Sequence, residues 1–161
     1  MNFPSAVKSG FLNSFRFSGR ATRPEYWYFT LFVVIGGLIG RVSDRLFGTY
    51  LPGAEPSTAF LPAGILALTV SVVVIAPHFT VGIRRMHDTN HSGWWFGGSV
   101  LSFCIASILV LVLPTVGMVA VVVSVFLLLM LLFLLCKAGT TSEPNRFGAP
   151  AASVIFSPAP E

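Results

Sequence analysis

The stretch that decides the fold is residues 89–136, TNHSGWWFGGSVLSFCIASILVLVLPTVGMVAVVVSVFLLLMLLFLLC. It contains no Asp, Glu, Lys or Arg over 48 residues. Because a helix needs about 20 apolar residues to cross a hydrocarbon core of roughly 30 Å, this length accommodates two crossings. The Pro-Thr-Val connection at 114–116 divides it into predicted spans over 94–113 and 117–136, joined as a tight antiparallel hairpin.

The rest of the chain has the same character. Hydrophobic residues make up 54% of the 161 positions and charged residues only 10%, against roughly 25% in ordinary soluble domains. Two further apolar stretches predict spans over 26–45 and 60–83. Since lipid offers no partners to an open strand, these spans are predicted to be helices. The sequence therefore predicts an all-α integral membrane protein with four transmembrane helices, and it excludes a soluble, secreted or disordered protein.

The segments that flank the spans divide the chain into three parts. Residues 1–25 carry apolar side chains every four positions, at Phe3, Val7, Phe11 and Phe15. This spacing predicts an amphipathic helix that lies in the headgroup layer. Residues 26–136 form the transmembrane domain. Residues 137–161 are rich in small residues and proline, which predicts a partly disordered tail.

The basic residues predict the orientation in the membrane. An even number of spans places both termini on one side, and that side carries eight basic residues: Lys8, Arg16, Arg20, Arg23, Arg84, Arg85, Lys137 and Arg146. The opposite side carries Arg41 and Arg45. Both termini and the 84–93 loop are therefore predicted to face the cytoplasm. The pI of 9.6 reflects this topology and does not indicate nucleic-acid binding.

The loop that begins at Arg84 holds most of the polar chemistry. Arg84 and Arg85 are placed to contact anionic headgroups, with about 1 kcal/mol for each basic residue near such a surface. His87 and His91 are four residues apart beside Asp88, which is compatible with a metal site, although no third ligand is assured. His87 oriented by Asp88 is also compatible with acid–base chemistry. We favour a loop that is ordered by its own ion pairs and by headgroups.

Several residues of the predicted spans can be interpreted as either structural or functional. His78 follows Pro77 within the second span, where an ionisable group is either functional or satisfied locally near the interface. Gly36 and Gly40 form a G-x-x-x-G notch, which we interpret as helix packing. The two cysteines differ in depth by about ten residues, roughly 15 Å of helix rise, so a disulfide is not expected.

Three segments together resemble one family. FSGRATRPEYWYF at 17–29 resembles its opening motif, and RRMHDT at 84–89 with SGWW at 92–95 resembles its loop. GT at 139–140, followed by NRFG at 145–148, is similar to its closing segment. On these motifs the chain is identified as a member of the domain-of-unknown-function 805 family of bacterial inner-membrane proteins, the YhaH-like proteins. The resemblance implies a multi-spanning protein of the bacterial cytoplasmic membrane, without an assigned reaction.

The opening and loop motifs both fall on the predicted cytoplasmic side. We expect them to form one charged cluster, because paired charges at an interface cost less than isolated ones. In this cluster Glu25 pairs with a loop arginine, and Asp88 pairs with Arg20 or Arg23. The candidate binding residues are Arg20, Arg23, Glu25, Arg84, Arg85, His87, Asp88 and Trp94. No catalytic residue, metal ligand or cofactor is assigned.

The cluster leads to one functional hypothesis and two alternatives. We expect a non-enzymatic module that binds anionic lipid, a partner membrane protein or a second copy of itself. One alternative is an enzyme that acts on a lipid headgroup or a polyprenyl phosphate, with His87 and Asp88 supplying the proton chemistry and arginines holding the phosphate. The other is a small transporter or an oligomeric channel.

Overall fold

A computed structural model describes residues 1–49, 64–137, 139 and 144–149. These residues form five α-helices and no β-strand. Asn145 and Gly148 form an isolated bridge. The all-helical prediction is therefore confirmed for the described part of the chain. In chain order the helices are α1 (Phe3–Leu12), α2 (Arg23–Phe47), α3 (Ile65–Asp88), α4 (Trp94–Val112) and α5 (Pro114–Cys136).

Three of the described helices, α2, α3 and α5, are long and apolar enough to cross a membrane, and α4 is a shorter apolar helix. The helix ends differ from the predicted ones. α3 continues to Asp88, so the first half of the predicted loop is helical. α5 already begins at Pro114, because a proline in the first helical turn loses no hydrogen bond. The predicted start of the second span at 60–63 and most of the predicted partly disordered tail at 137–161 lie outside the described residues.

The outer surface of these helices is apolar. Large side chains such as Leu38, Ile108, Phe126 and Phe133 are between 58% and 69% exposed. A water-soluble protein rarely exposes continuous apolar surface of this kind. The exposed side chains fit a hydrocarbon environment, in which helices satisfy their own backbone groups.

The chain divides into two compact units, and the first contains residues 1–15 and 24–81. In this unit α1 packs against α2. The ring of Phe11 meets the ring of Phe29 edge-on, with centroids 5.6 Å apart, and a Cβ at Gly10 would lie 2.3 Å from the Phe29 ring. The Ser9 hydroxyl donates to Glu25 Oε1 at 2.8 Å. The N-terminal helix is thus held to α2 by ring packing and by one hydrogen bond to a carboxylate.

The G-x-x-x-G notch brings α2 against the first turns of α3 in the same unit. A Cβ at Gly40 would lie 2.8 Å from the Ala67 Cα, and one at Gly36 would lie 3.3 Å from Val70 Cγ1. Near the end of α2, the Asp44 carboxylate accepts the backbone N–H groups of Leu66 at 3.0 Å and Ala67 at 2.9 Å. Asp44 therefore stabilises the first turn of α3, whose N–H groups have no partner within the helix.

His78 has local partners within the first unit. Its Nε2 lies 3.2 Å from Thr30 Oγ1, and its ring is stacked near Tyr26 and Phe29. Because the Thr30 hydroxyl donates its hydrogen to the Tyr26 carbonyl oxygen at 2.9 Å, the contact requires an N–H on His78 Nε2. The structural interpretation of His78 is supported, with a threonine hydroxyl as its partner.

The second unit contains residues 16–23 and 82–161. Within its described part, α4 and α5 pack against each other, and Leu113 is the single residue between them. This close connection agrees with the predicted hairpin. Cys104 and Cys136 are both free thiols, as expected from their difference in depth.

The packing at the notch generates a test with a matched control. Gly40→Ala adds one methyl group against backbone atoms of Ala67 that cannot rotate away, so we expect the free energy of unfolding to fall by about 1–3 kcal/mol. Gly37→Ala adds the same methyl group where no atom lies within 4 Å, and should leave stability unchanged or slightly higher. Denaturation by SDS in mixed micelles measures both. Equal stability of the two variants would contradict this packing.

Candidate functional site

The second unit brings three distant segments of the sequence together. The segment around Arg20 precedes α2, Asp88 ends α3, and the segment at 145–148 follows α5. The first and the third of these segments contact the last turn of α3 or the turn after it. These are the same three segments that carry the family resemblance. We call the side chains and backbone groups that join them the α3-end cluster: Gly19, Arg20, Arg85, His87, Asp88, Asn90, Asn145, Arg146 and Phe147.

The centre of the α3-end cluster is the Asp88 carboxylate. Its Oδ1 accepts from Arg20 Nε at 2.9 Å, and its Oδ2 accepts from Arg85 Nη1 at 2.5 Å. All three residues are buried, with exposed fractions of 7% for Asp88, 6% for Arg20 and 0% for Arg85. The predicted pairing of Asp88 with Arg20 is present. One carboxylate therefore serves two buried guanidinium groups.

Arg85 also caps the C-terminal end of α5. Its Nε donates to the Leu135 carbonyl oxygen at 3.1 Å, and its Nη2 donates to the Lys137 carbonyl oxygen. The last carbonyl groups of a helix have no partner within the helix and carry partial negative charge, so a buried cation there is favourable. The side chain of Arg85 thus joins the ends of two helices.

Two backbone contacts hold the neighbouring segments close to this centre. The N–H of Ala21 donates to the Arg84 carbonyl oxygen at 3.0 Å. The chain at Gly139 passes so near Asp88 that a Cβ there would lie 2.2 Å from Asp88 Oδ2. Glycine is required at 139 because any larger residue would displace the carboxylate that pairs the two arginines.

His87 is packed against the segment that follows α5. Its ring is parallel to the ring of Phe147, with centroids 4.0 Å apart and an angle of 5°. Its Nδ1 lies 3.2 Å from the Gly19 carbonyl oxygen, and its own carbonyl oxygen accepts from Asn145 Nδ2 at 3.0 Å. The contact with a carbonyl oxygen requires the ring proton on Nδ1. His87 therefore makes structural contacts through its ring, its Nδ1 and its backbone.

Arg146 reaches the turn between α3 and α4. Its Nη2 donates to the Asn90 carbonyl oxygen at 2.9 Å, and its guanidinium carbon lies 4.6 Å from the centre of the Phe147 ring. The turn beneath it is closed by two backbone hydrogen bonds between Asn145 and Gly148, of 3.1 and 2.9 Å. The N–H of Phe147 donates to Asn145 Oδ1 at 2.9 Å. This turn holds Phe147 and Arg146 in fixed positions.

The remaining candidate residues lie in different surroundings. Arg84 is buried at 8% exposure, so it and Arg85 do not present their side chains outward as expected for contacts with headgroups. Arg23 is exposed, and Trp94 is 84% exposed at the start of α4. Glu25 belongs to the first unit, where it accepts from Ser9. Its pairing with a loop arginine stays a prediction.

The metal hypothesis gains no geometric support. His91 Nδ1 lies 2.7 Å from the Thr89 carbonyl oxygen, and His87 Nδ1 faces Gly19. In the parts of the chain that the structure describes, no group of three or more His, Cys, Asp or Glu residues could hold a metal ion.

Charge in the second unit is strongly unbalanced. Its sequence holds seven basic residues against the acidic residues Asp88, Glu143 and Glu161, and of these three only Asp88 lies in the described part. Among the seven, Arg20, Arg84 and Arg85 are buried. The other four are exposed: Arg16, Arg23, Lys137 and Arg146. In the described part of this unit, the exposed charged side chains are therefore all positive.

The sequence-based residue set omitted the segment after α5. Asn145, Arg146 and Phe147 contribute side-chain contacts to the cluster. Gly19 contributes the carbonyl oxygen that contacts His87, and the backbone at Gly139 passes close to Asp88. The resemblance of 139–140 and 145–148 to a closing motif was the available signal. The contacts of Arg85 with the carbonyl oxygens of Leu135 and Lys137 could not be predicted from the sequence, because every residue has a carbonyl group.

Comparison with known proteins agrees with these motifs. The family model described as "Protein of unknown function (DUF805)" matches residues 14–149, which include all three segments. The inner membrane protein YhaH of Escherichia coli K12 is 32% identical over 132 residues, which cover 82% of this chain and 84% of YhaH. The inner membrane protein YhaI of the same strain is 33% identical over 132 residues, which cover 82% of each chain. No solved structure matches the chain.

Because two buried arginines share the Asp88 carboxylate, a small substitution at Asp88 should strongly lower the stability of the fold. Asp88→Asn keeps the shape of the side chain but leaves two buried guanidinium groups without their counter-charge, which should cost about 3–5 kcal/mol of folding free energy. Arg20→Met in the Asp88→Asn background should recover part of this loss, because it removes one of the two cations. Thermal unfolding midpoints in detergent measure both variants.

The exposed Arg23 supplies the control for this series. Arg23→Gln removes one positive charge from the same unit without disturbing a buried group, and should change stability by less than about 0.5 kcal/mol. If Asp88→Asn is no less stable than Arg23→Gln, the Arg20–Asp88–Arg85 pairing does not stabilise the fold.

Proposed function

Since this chain belongs to the DUF805 family of membrane proteins of unknown function, we propose from its geometry that it is a non-enzymatic module that binds anionic lipid at the cytoplasmic face of the inner membrane. The binding groups are the exposed basic side chains of the second unit. The buried Arg20, Asp88 and Arg85 hold the segments that carry them. A partner membrane protein is the competing ligand, and extraction in native nanodiscs distinguishes it from lipid.

The observation that carries this proposal is the excess of exposed positive charge in the described part of the second unit. Four of its seven basic residues are exposed: Arg16, Arg23, Lys137 and Arg146. The described part of the unit offers them one carboxylate, Asp88, which is already bound to two guanidinium groups. Each basic residue near an anionic membrane surface contributes about 1 kcal/mol. The anionic headgroups of a membrane are the abundant counter-charge at this position.

The proposal includes four spans with both termini in the cytoplasm. α4 has 19 residues, about 28 Å of helix, which is close to the roughly 30 Å of a hydrocarbon core. With α4 as the third span, eight basic residues lie on the cytoplasmic side and Arg41 and Arg45 on the other. α1 then lies in the cytoplasmic headgroup layer, against the beginning of α2. The exposed indoles of Trp94 and Trp95 begin α4 and would then lie at the cytoplasmic interface, where tryptophan is common.

This topology predicts the behaviour of reporter fusions. Green fluorescent protein joined to the C-terminus should be fluorescent, and alkaline phosphatase at the same position should be inactive, because the first folds in the cytoplasm and the second needs an oxidising compartment. Fusions truncated after Phe47 should behave in the opposite way. An active phosphatase at the full-length C-terminus would contradict an even number of spans.

Lipid binding predicts selective enrichment around the protein. Extraction in native nanodiscs followed by mass spectrometry should find phosphatidylglycerol and cardiolipin enriched over the bulk membrane. The combined variant Arg16→Gln, Arg23→Gln and Lys137→Gln should lose most of this enrichment, because it removes about 1 kcal/mol of attraction at each position. The control Arg45→Gln removes an exposed cation near the other end of α2 and should keep the enrichment.

The same extraction distinguishes the competing ligand. A protein bound in stoichiometric amount and lost from the triple variant, without lipid enrichment in the wild type, would replace the lipid proposal by a partner protein. A wild-type lipid composition equal to that of the bulk membrane, with no bound protein, would contradict both.

A further inference from the structure

Arg146 differs from the other exposed cations of the second unit in how it is held. Among the described residues, the side chains of Arg16 and Arg23 form no hydrogen bond, ion pair or ring contact. The Arg146 guanidinium, in contrast, donates to the Asn90 carbonyl oxygen and lies over the Phe147 ring. Its carbon is 4.6 Å from the ring centre. A guanidinium group over an aromatic face is stabilised by cation–π attraction. The Arg146 side chain is therefore restricted in conformation before any ligand binds, although it is exposed.

The support beneath Arg146 is itself fixed. Phe147 is stacked on His87 at 4.0 Å, and its N–H donates to Asn145 Oδ1. Asn145 donates to the His87 carbonyl oxygen, which ties the turn to the end of α3. A long side chain normally loses rotamer freedom when it binds a ligand. Here much of that freedom is already lost in the folded protein, so less of the binding free energy is spent on ordering.

The chemistry of the group points to phosphate. A guanidinium carries five N–H donors in a planar fork, and one nitrogen of Arg146, Nη2, donates to Asn90. The fork matches two oxygens of a phosphate group, which an ammonium group cannot match in the same way. None of the described carboxylates forms an ion pair with Arg146. The remaining donors are available for an anion at the surface.

The position of Arg146 favours a lipid as the source of that phosphate. Asn90, to which it is bonded, lies four residues before Trp94, whose indole is 84% exposed. Exposed tryptophans at the start of an apolar helix are typical of the headgroup layer, where lipid phosphates lie. The partner chemistry is therefore a phosphodiester at the membrane surface.

We propose that Arg146, positioned by Asn90, Phe147 and His87, is a specific phosphate-contacting group that binds the phosphodiester of an anionic phospholipid. This rests on the proposed function and deepens it, because it assigns a defined contact within a general attraction of charge. The segment after α5 then has two roles. Asn145 and Phe147 close the α3-end cluster, and Arg146 presents the guanidinium from its surface.

Substitutions that keep the charge separate this contact from general attraction. Purified protein in a neutral detergent is titrated with phosphatidylglycerol, and binding is followed by tryptophan fluorescence and by native mass spectrometry. Arg146→Lys should weaken the affinity about tenfold, because the fork and its stacking are lost while the charge remains. Phe147→Leu should weaken it by a smaller factor. The matched control Arg45→Lys, at an exposed arginine outside the proposed binding groups, should bind as the wild type does.

Each result has a defined meaning. Wild-type affinity of Arg146→Lys overturns the specific contact, and the proposed function survives if the triple variant still loses lipid enrichment. Equal affinity of the wild type for phosphatidylglycerol and phosphatidylcholine overturns both. Displacement of the lipid by inorganic phosphate at a similar concentration assigns the site to a soluble phosphate and overturns the lipid source. If Phe147→Leu does not fold, the exposed substitution Arg146→Lys alone decides the outcome.

Discussion

The sharing of the Asp88 carboxylate between Arg20 and Arg85 is the interaction on which the second unit depends. Each guanidinium is buried, and a buried cation is tolerated only when its charge and its donors are satisfied. Asp88 supplies one oxygen to each, and Arg85 directs its other nitrogens to the end of α5. Asp88 and Arg85 together thus join the segment before α2, the end of α3 and the end of α5 within this unit.

The rest of the α3-end cluster follows from that arrangement. Once Asp88 is in place, the chain at Gly139 can pass beside it only without a side chain. The turn at 145–148 then reaches His87, and stacking between His87 and Phe147 holds the turn against α3. The charges that remain exposed are all positive in the described part of the unit. A buried centre, in which one carboxylate binds two guanidinium groups, and a surface with exposed positive charges therefore occur together. The residues that hold the fold are thus different from those that can contact a ligand.

The first unit uses a different device, which is close approach of backbones within the bilayer. Lipid tails are as apolar as the side chains of the helices, so burying apolar surface gives little drive for association. Contact at Gly40 instead allows α2 to approach the backbone at Ala67. Asp44 adds an electrostatic contact, because its carboxylate accepts the first N–H groups of α3. Packing and capping thus stabilise the same pair of helices at the same level.

The sequence by itself determined the helical membrane class, the approximate spans and the family. These follow from long charge-free stretches and from short motifs, which are local properties of the chain. It also indicated that Asp88 pairs with Arg20 or Arg23, because paired charges at an interface cost less than isolated ones, and that Gly36 and Gly40 form a packing notch. Only the tertiary structure decided that Arg84 and Arg85 are buried and that Arg146 is exposed and held by Asn90 and Phe147. All three are basic residues at the ends of apolar helices, and their exposure depends on which distant carboxylate and carbonyl groups the fold brings to them.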